Sequence, residues 1–310
     1  RTEDMYEEFD SPETISAISK ALEGAGHKCV RLGFGQLAIE KILKDRPDFV
    51  FNIAEGYYGR SREAHMPSLL EMLDIPFTGP GPLTAALSLD KLSAKKLAVY
   101  ARVSTPKFIE VEGNGDYELE GIAFPAMVKP AYEGSSIGIR QDSRVVNEAE
   151  LREKIEWLIK NYPGQPLVVE RFVPGREFTV AVIGNGDPRV LGIMEIIPRD
   201  VEIENFIYSL EVKRQYLEKV CYSCKCEIGE FTRKQLESSA LRLYRIFGCR
   251  DISRFDFRLD EDGTPQFLEV NTLPGLHPVS SDIVIMAKLL GIEYDELIKS
   301  IFSRALKRYN

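Results

Sequence analysis

Two short runs in the last third of this 310-residue chain restrict its fold more than anything else in it. They are Arg254-Phe255-Asp256-Phe257 and Glu269-Val270-Asn271. The six turn-forming residues 260–265 separate their apolar stretches, so the pair reads as a β-hairpin. Side chains alternate across a strand. Arg254 and Asp256 therefore share a face, as do Glu269 and Asn271, while Phe255, Phe257, Leu268 and Val270 turn to the other side, toward a core. The hairpin presents two carboxylates, an amide oxygen and a guanidinium together. Hard oxygen donors of this kind suit Mg²⁺, above all where phosphate oxygens complete the shell. A solvated face with a cross-strand ion pair is the plainer alternative at this point.

The rest of the chain gives the hairpin a context. Ser11-Pro12-Glu13 reads as a helix start, followed by Ile15, Ile18 and Leu22 at helical spacing and a stop at Gly24 and Gly26. Short apolar runs at 29–32 and 49–53 read as buried strands, with helices near 37–43 and 64–73. Strands alternating with helices predict parallel βαβ units, so residues 1–90 form a small doubly wound lobe. A Lys-rich helix is expected over 84–100, strands at 126–129 and 167–172, and a helix at 147–160. From Glu177 the pattern turns strand-rich, at 178–183, 190–197, 252–259 and 266–270, interrupted by a helix at 232–247. Helices at 282–290 and 294–307 follow. Length alone suggests roughly two domains, with three small lobes also compatible. The pattern divides the chain into lobes 1–90, 91–172 and 173–310. Without a repeat or low-complexity linker, they are expected to pack around a cleft.

Composition narrows the class. Forty basic against 48 acidic residues give a net charge of −8, which argues against nucleic acid as the main partner. No apolar run approaches the roughly 18 residues of a membrane span. Five cysteines and no leading signal segment fit a reducing cytosol. Cys221, Cys224 and Cys226 stand close enough for a zinc or cluster site with Cys249 or a distant histidine, or are simply free thiols in a strand region.

Three further segments carry chemistry. In Lys129-Pro-Ala-Tyr-Glu133-Gly134-Ser135-Ser136-Ile-Gly138 a lysine ends a strand and a small, flexible loop follows. Its backbone N–H groups can cover phosphate. Gly134, Ser136 and Gly138 also fit the Gly-x-Ser-x-Gly pattern of hydrolases. That reading needs a strand-to-helix elbow, whereas 137–139 reads as a returning strand, and His277 is the only histidine downstream. In Glu170-Arg-Phe172-Val173-Pro-Gly-Arg-Glu177, backbone between two strands can read an adenine edge and Glu177 can take ribose hydroxyls. In Asn271-Thr-Leu-Pro-Gly275-Leu-His277-Pro-Val-Ser280-Ser281, Gly275 lets backbone approach a ligand, where its N–H could serve an oxyanion.

In this order and spacing, these segments and the stretches at 75–79 and 87–91 resemble the D-alanine–D-alanine ligases of the ATP-grasp superfamily. The resemblance runs from Ser11 to the last helix. It implies an α/β ATP-grasp fold of three lobes, with ATP between the central and C-terminal ones, and a cytoplasmic, homodimeric enzyme of peptidoglycan biosynthesis acting on small amino acids. It further implies that Lys91 and Lys129 contact ATP phosphates, with Glu133, Ser136 and Lys213 on the nucleotide side. Glu170, Phe172 and Val173 would line adenine, and Glu177 would take the ribose. Asp256, Glu269 and Asn271 would hold Mg²⁺ (or Mn²⁺), while Arg254 and the Gly275 backbone would stabilise the tetrahedral intermediate. Ser135 would help close the site, with Glu8 and Tyr216 as its partners. Ligases of this type begin with a strand that the sequence from Arg1 does not show.

Departures concentrate in the amino-acid half. Where the family carries HGxxGEDG, this chain reads Glu55-Gly-Tyr-Tyr-Gly-Arg-Ser-Arg-Glu63, with an acid in place of the histidine. His277 and Ser281 stand where threonine and an apolar residue are usual, and Ser280 lies between them. A ligase for another amino acid, dipeptide or hydroxy acid, or a non-catalytic nucleotide-binding protein, are the alternatives.

Overall fold

The structure, a computed structural model, describes residues 3–4, 6–113 and 117–309. Helix α1 (Pro12–Glu23) starts where the sequence signals it. Ser11 Oγ accepts from the Thr14 N–H at 3.3 Å, and Pro12 fills the first turn, where no N–H is needed. Helices α2 (Gly35–Asp45) and α3 (His65–Met72) follow. Of the parallel sheet expected in this region, the described residues carry one bridge, Val50 to Phe77. The Val50 N–H donates to Pro76 O at 2.8 Å and the Thr78 N–H to Val50 O at 3.0 Å. Residues 29–32 form no strand. Cys29, Phe49, Phe51 and Ile53 instead pack against the cluster made by α1 and the C-terminal helices.

The helix expected over 84–100 is two helices, α4 (Pro82–Leu89) and α5 (Lys91–Tyr100). Asp90 makes the break. Its backbone is extended, and its Oδ1 accepts from the N–H groups of Leu92 and Ser93 at 3.0 and 3.1 Å. A short acidic side chain that captures backbone donors starts a new helix instead of continuing the old one. The break turns Lys91 toward residue 131, and the Lys91 N–H donates to Ala131 O at 3.0 Å.

Two antiparallel sheets flank the cleft. The first joins β1 (Phe108–Val111), β2 (Ala126–Pro130), β3 (Arg144–Val145) and β4 (Leu167–Arg171) in the order β1-β4-β2-β3. Helix α6 (Glu148–Asn161), capped by Asn147, covers one face, burying Leu151, Ile155 and Leu158 against Val128 and Val169. The second joins β5 (Glu177–Ile183), β6 (Arg189–Pro198), β7 (Val220–Ser223), β8 (Ile252–Leu259) and β9 (Pro265–Asn271) in the order β7-β6-β5-β8-β9. Two short helices, α7 (Leu210–Arg214) and α8 (Tyr216–Lys219), lie before β7. Helix α9 (Glu230–Phe247) packs Leu236, Ala240 and Leu243 onto Phe178, Phe255, Phe257 and Phe267. These four rings are fully buried, and truncating any one costs about 3–5 kcal/mol. Helices α10 (Asp282–Leu289) and α11 (Tyr294–Leu306) close the chain and pack with α1.

The hairpin of β8 and β9 corrects the strict alternation read from sequence. Asp256 pairs with Glu269 and Phe257 with Phe267, so Leu268 is an extra residue in a β-bulge. Phe267, not Leu268, joins Phe257 in the core, and Leu268 faces the cleft.

The cysteine run sits at the end of β7 with free thiols. Cys226 Sγ donates to Ile193 O at 3.6 Å and Cys224 Sγ contacts Met286 O at 3.9 Å. No group of three or more His, Cys, Asp or Glu side chains able to hold a metal occurs among the described residues, so the zinc reading of this run is set aside. No helix among them is long and apolar enough to cross a membrane.

Candidate active site

A cleft of about 490 Å³ runs between the two sheets. Its basic wall is built on α5, β2 and β4. Lys91 Nζ donates to Glu133 O and lies 3.4 Å from Glu269 Oε2. Lys129, the last side chain of β2 before Pro130, sits 2.6 Å from Glu170 Oε1 on β4. A third ammonium, Lys95, reaches Glu170 Oε2 at 2.5 Å from behind. Burial alone would raise the Glu170 carboxyl, but the two ammoniums outweigh it and hold the group below its ordinary range. Burial pulls Lys95 down to about 8.

Facing this wall is the acidic edge of β8 and β9. Arg254 donates to Asp256 Oδ2 through Nε (3.1 Å) and Nη2 (2.9 Å), and through Nη1 to Asp282 Oδ2 at 2.8 Å. Thr179 Oγ1 donates to Asp256 Oδ1. Burial lifts Asp256 to about 6, with Arg254 opposing and Glu269 adding to the rise. Glu269 falls to about 2, because Lys91, Lys129 and Arg254 outweigh its burial. Asn271 stands opposite Arg254, and its Oδ1 accepts from the Leu273 N–H at 3.2 Å. The donor set fits a divalent cation. Two carboxylates oppose each other across one register pair, an amide side chain stands two residues along the same strand, and the carboxylates' mutual repulsion is what an added positive charge relieves.

The connection from β4 to β5 forms the end wall. The guanidiniums of Arg258 and Arg144 lie over the Phe172 ring, 4.9 and 5.3 Å from its centroid, and Val173, the next residue, is buried. Burial drives Glu177 up to about 7 against the pull of Arg258. Gly175 is the residue the backbone demands here, since a Cβ would stand 2.2 Å from Leu259 O.

The Gly/Ser loop is a pair of tight turns, not the returning strand expected at 137–139. Ile137 N–H donates to Gly134 O at 2.8 Å and Ile139 N–H to Ser136 O at 3.0 Å. Ser135, Ser136 and Gly138 all have positive φ, a conformation that cannot extend into a ladder. Glu8 accepts from the Gly134 N–H at 2.6 Å and from Arg62 Nη2 at 2.7 Å. Its partner in the loop is thus the Gly134 backbone, and the Ser135 side chain makes no hydrogen bond to Glu8 or Tyr216 among the described residues. Glu133 ties the loop to Gln165 Nε2 at 2.6 Å. Ser136 Oγ donates to Tyr208 O at 3.0 Å, while His277 Nδ1 accepts from the Val279 and Ser280 N–H groups at 3.2 and 3.3 Å. Serine and histidine are engaged apart from each other, which removes the support for the hydrolase reading.

Toward the N-terminal segment, Glu55 and Glu63 line the cleft with Glu8, Asp10, His277, Ser280 and Ser281. Burial, then the charges of Glu63 and Glu8, lift Glu55 well above its ordinary value, and burial lifts Glu63 to about 8. The two carboxyls hydrogen-bond each other. Gly275 lines the cleft, and a Cβ there would press on Ser281 Oγ at 3.0 Å. Lys213 and Tyr216, on α7 and α8, also line it. Burial and Arg254 lower the Lys213 ammonium. The sequence reading missed Lys95, Arg62, Glu63, Thr179 and Asp282. Lys95 was recoverable, being four residues after Lys91 on one helix face. Arg62 and Asp282 reach the site only through tertiary folding.

Comparison with known proteins matches this architecture. Residues 100–303 fit the model of the D-ala D-ala ligase C-terminus. The chain is 33% identical to the D-alanine–D-alanine ligase of Aquifex aeolicus, over 94% of each chain. It is 34% identical to an uncharacterized protein, y4sG, of Sinorhizobium fredii, covering 84% of this chain and 75% of that one. The crystal structure of the Bacillus anthracis D-alanine–D-alanine ligase complexed with ATP superposes with a TM-score of 0.76 at 22% identity, covering 97% of this chain and 95% of that one. Fold and cleft thus define an ATP-grasp enzyme, an ATP- and Mg²⁺-dependent ligase that forms C–N bonds. Within that class, the chain belongs to the D-alanine–D-alanine ligase family.

Proposed function

We propose that this ligase condenses two D-amino acids, D-alanine first among them, in cytoplasmic peptidoglycan biosynthesis, working as a homodimer of three-lobed subunits divided at 1–90, 91–172 and 173–310. The observation that carries the reading is the meeting of Lys91, Lys129, Arg254 and the Asp256–Glu269–Asn271 edge in one cleft. A carboxylate is a poor electrophile. Attack of its oxygen on the γ-phosphorus of ATP breaks the bond to ADP and forms an acyl phosphate. The neutral amine of the second amino acid then attacks the acyl carbon, phosphate leaves, and the amine's proton passes to solvent.

The residues divide this work. Lys91 and Lys129, with Lys213, meet the negative charge of the phosphates, and Phe172, Val173 and Glu170 border the adenine while Glu177 accepts from ribose hydroxyls. Asp256, Glu269 and Asn271 would hold Mg²⁺ (or Mn²⁺), which when bound supplies charge neutralisation to the phosphoryl oxygens. Arg254 and the Gly275 N–H stabilise the oxyanion at the acyl carbon. Removing Arg254 costs on the order of 3–4 kcal/mol of transition-state stabilisation, as for one oxyanion donor. The turns carrying Ser135 and Ser136, with Glu8 and Tyr216 at their sides, keep water from the acyl phosphate. Glu55, His277, Ser280 and Ser281 face the amino acids.

The test is phosphate release from ATP over a panel of D- and L-amino acids, with products identified by mass. Release that requires D-alanine and yields a dipeptide is expected. Release stimulated only by other amino acids would move the substrate assignment, and the absence of any amino-acid-dependent release would overturn it.

A further inference from the structure

Lys95, unlike Lys91 and Lys129, does not line the cleft. Its side chain has no solvent exposure, whereas Lys129 lines the cavity. It reaches in two directions, pairing as an ion with Glu170 Oε2 at 2.5 Å and donating a hydrogen bond to Thr105 Oγ1 at 2.9 Å. Thr105 Oγ1 in turn donates to Phe267 O at 2.8 Å, two residues before Glu269. One ammonium thus joins the helix of Lys91, the strand of Glu170 and the strand of the acidic edge.

Charge counting gives this arrangement a purpose. Glu170 is 2% exposed and is ion-paired with both Lys95 and Lys129. Were Lys129 its only partner, the two would form a neutral, buried pair, and an incoming polyphosphate would have to compete with a desolvated carboxylate for the same ammonium. With Lys95 on the far oxygen, the triad keeps a net charge of about +1 directed at the cleft. We propose that Lys95 is a positioning residue: it neutralises Glu170 from behind the wall and so leaves the charge of Lys129 available to the polyphosphate of ATP. This rests on the assignment of Lys129 to the phosphates in the reading above.

A structural prop and a charge relay differ in what they do to ligands of different charge. Inhibition constants for ADP and adenosine and the affinity for ATP, measured on the wild type, Lys95→Met and Lys95→Arg, separate them. Lys95→Met is expected to weaken ATP by about tenfold or more, ADP less, and adenosine by no more than about twofold, the scale of one charge at an effective dielectric of ~20. Lys95→Arg restores the ATP preference. Equal losses for ATP and adenosine, or no loss for ATP, overturn the proposal. Should Lys95→Met fail to fold, the comparison moves to the Glu170→Gln background, where the carboxylate to be neutralised is gone. There Lys129 is free of its carboxylate, so the proposal requires that Lys95→Met lower the ATP-to-adenosine ratio by clearly less than about tenfold, and a drop of about tenfold or more refutes it. Wild-type turnover with amino acids reports on the ligase reading, and the ratio between variants on Lys95, so the failures of the two are distinct.

Discussion

Replacing Glu177 by Gln should make the protein more stable and a poorer binder of ATP. Glu177 is 8% exposed, and burial, aided by Asp256 and Glu269, lifts its carboxyl from 4.5 to about 7 despite Arg258. A carboxyl raised on folding binds its proton more tightly in the native state, so between these values stability falls as pH rises. Below pH ~4.5 the side chain is neutral in both states and costs nothing. Above pH ~7 its ionisation favours the unfolded chain by on the order of 3 kcal/mol, at ~1.4 kcal/mol per pH unit. Glutamine keeps the shape and cannot ionise. Urea denaturation of wild type and Glu177→Gln at pH 4 and pH 8 should therefore show a gain of roughly 3 kcal/mol at pH 8 and almost none at pH 4. The same variant should raise KM for ATP, since an amide accepts from ribose hydroxyls less well than a carboxylate. An equal gain at both pH values, or a loss at pH 8, would refute the burial argument.

Two further substitutions probe other parts of the cleft. Glu269→Ala should abolish Mg²⁺-dependent turnover in a protein that still folds, though with a lower melting temperature at neutral pH, because Lys91, Lys129 and Arg254 lose the carboxylate they hold at about 2. A variant that still turns over with Mg²⁺ would remove the hairpin from the metal site. Gly175→Ala should destabilise by about 2–4 kcal/mol, since its Cβ would meet Leu259 O at 2.2 Å and only backbone movement can relieve that contact. Equilibrium unfolding measures it, and an effect within about 0.5 kcal/mol would mean the strand connection yields freely.

Much of this architecture was legible because local signals and tertiary packing agree in it. The hairpin, the strand at 126–129 and the helices capped by Ser11 and Asn147 are written in alternation, caps and turn residues. The basic wall and the acidic edge of the cleft were legible for a related reason: most of their residues sit on strands, where spacing fixes the face. What was hidden depends on partners distant in sequence. Arg62 meets Glu8 and Glu133 across loops, and Asp282 reaches Arg254 from the start of α10. The break at Asp90 was hidden differently, since an aspartate inside a helical pattern gives no sign of which backbone donors it will take. Residues 29–32 have strand composition without a strand, because a strand exists only beside a partner edge.

The bulge at Leu268 sets where the hairpin tolerates changes in length. Phe267 and Val270 both enter the core although three positions separate them, and Glu269 and Asn271 reach the cleft only because Leu268 absorbs the odd residue. The connecting turn beyond Leu259 can gain or lose residues and the ladder above it keeps its pairing. Loss of Leu268 itself would only turn the bulge into a regular ladder with the same pairs. A deletion beyond it cannot be absorbed in that way: without Val270, Asn271 would stand opposite Phe255 and turn toward the core, so the loop and the bulge are free to drift in length while the strand that carries the acidic edge is not.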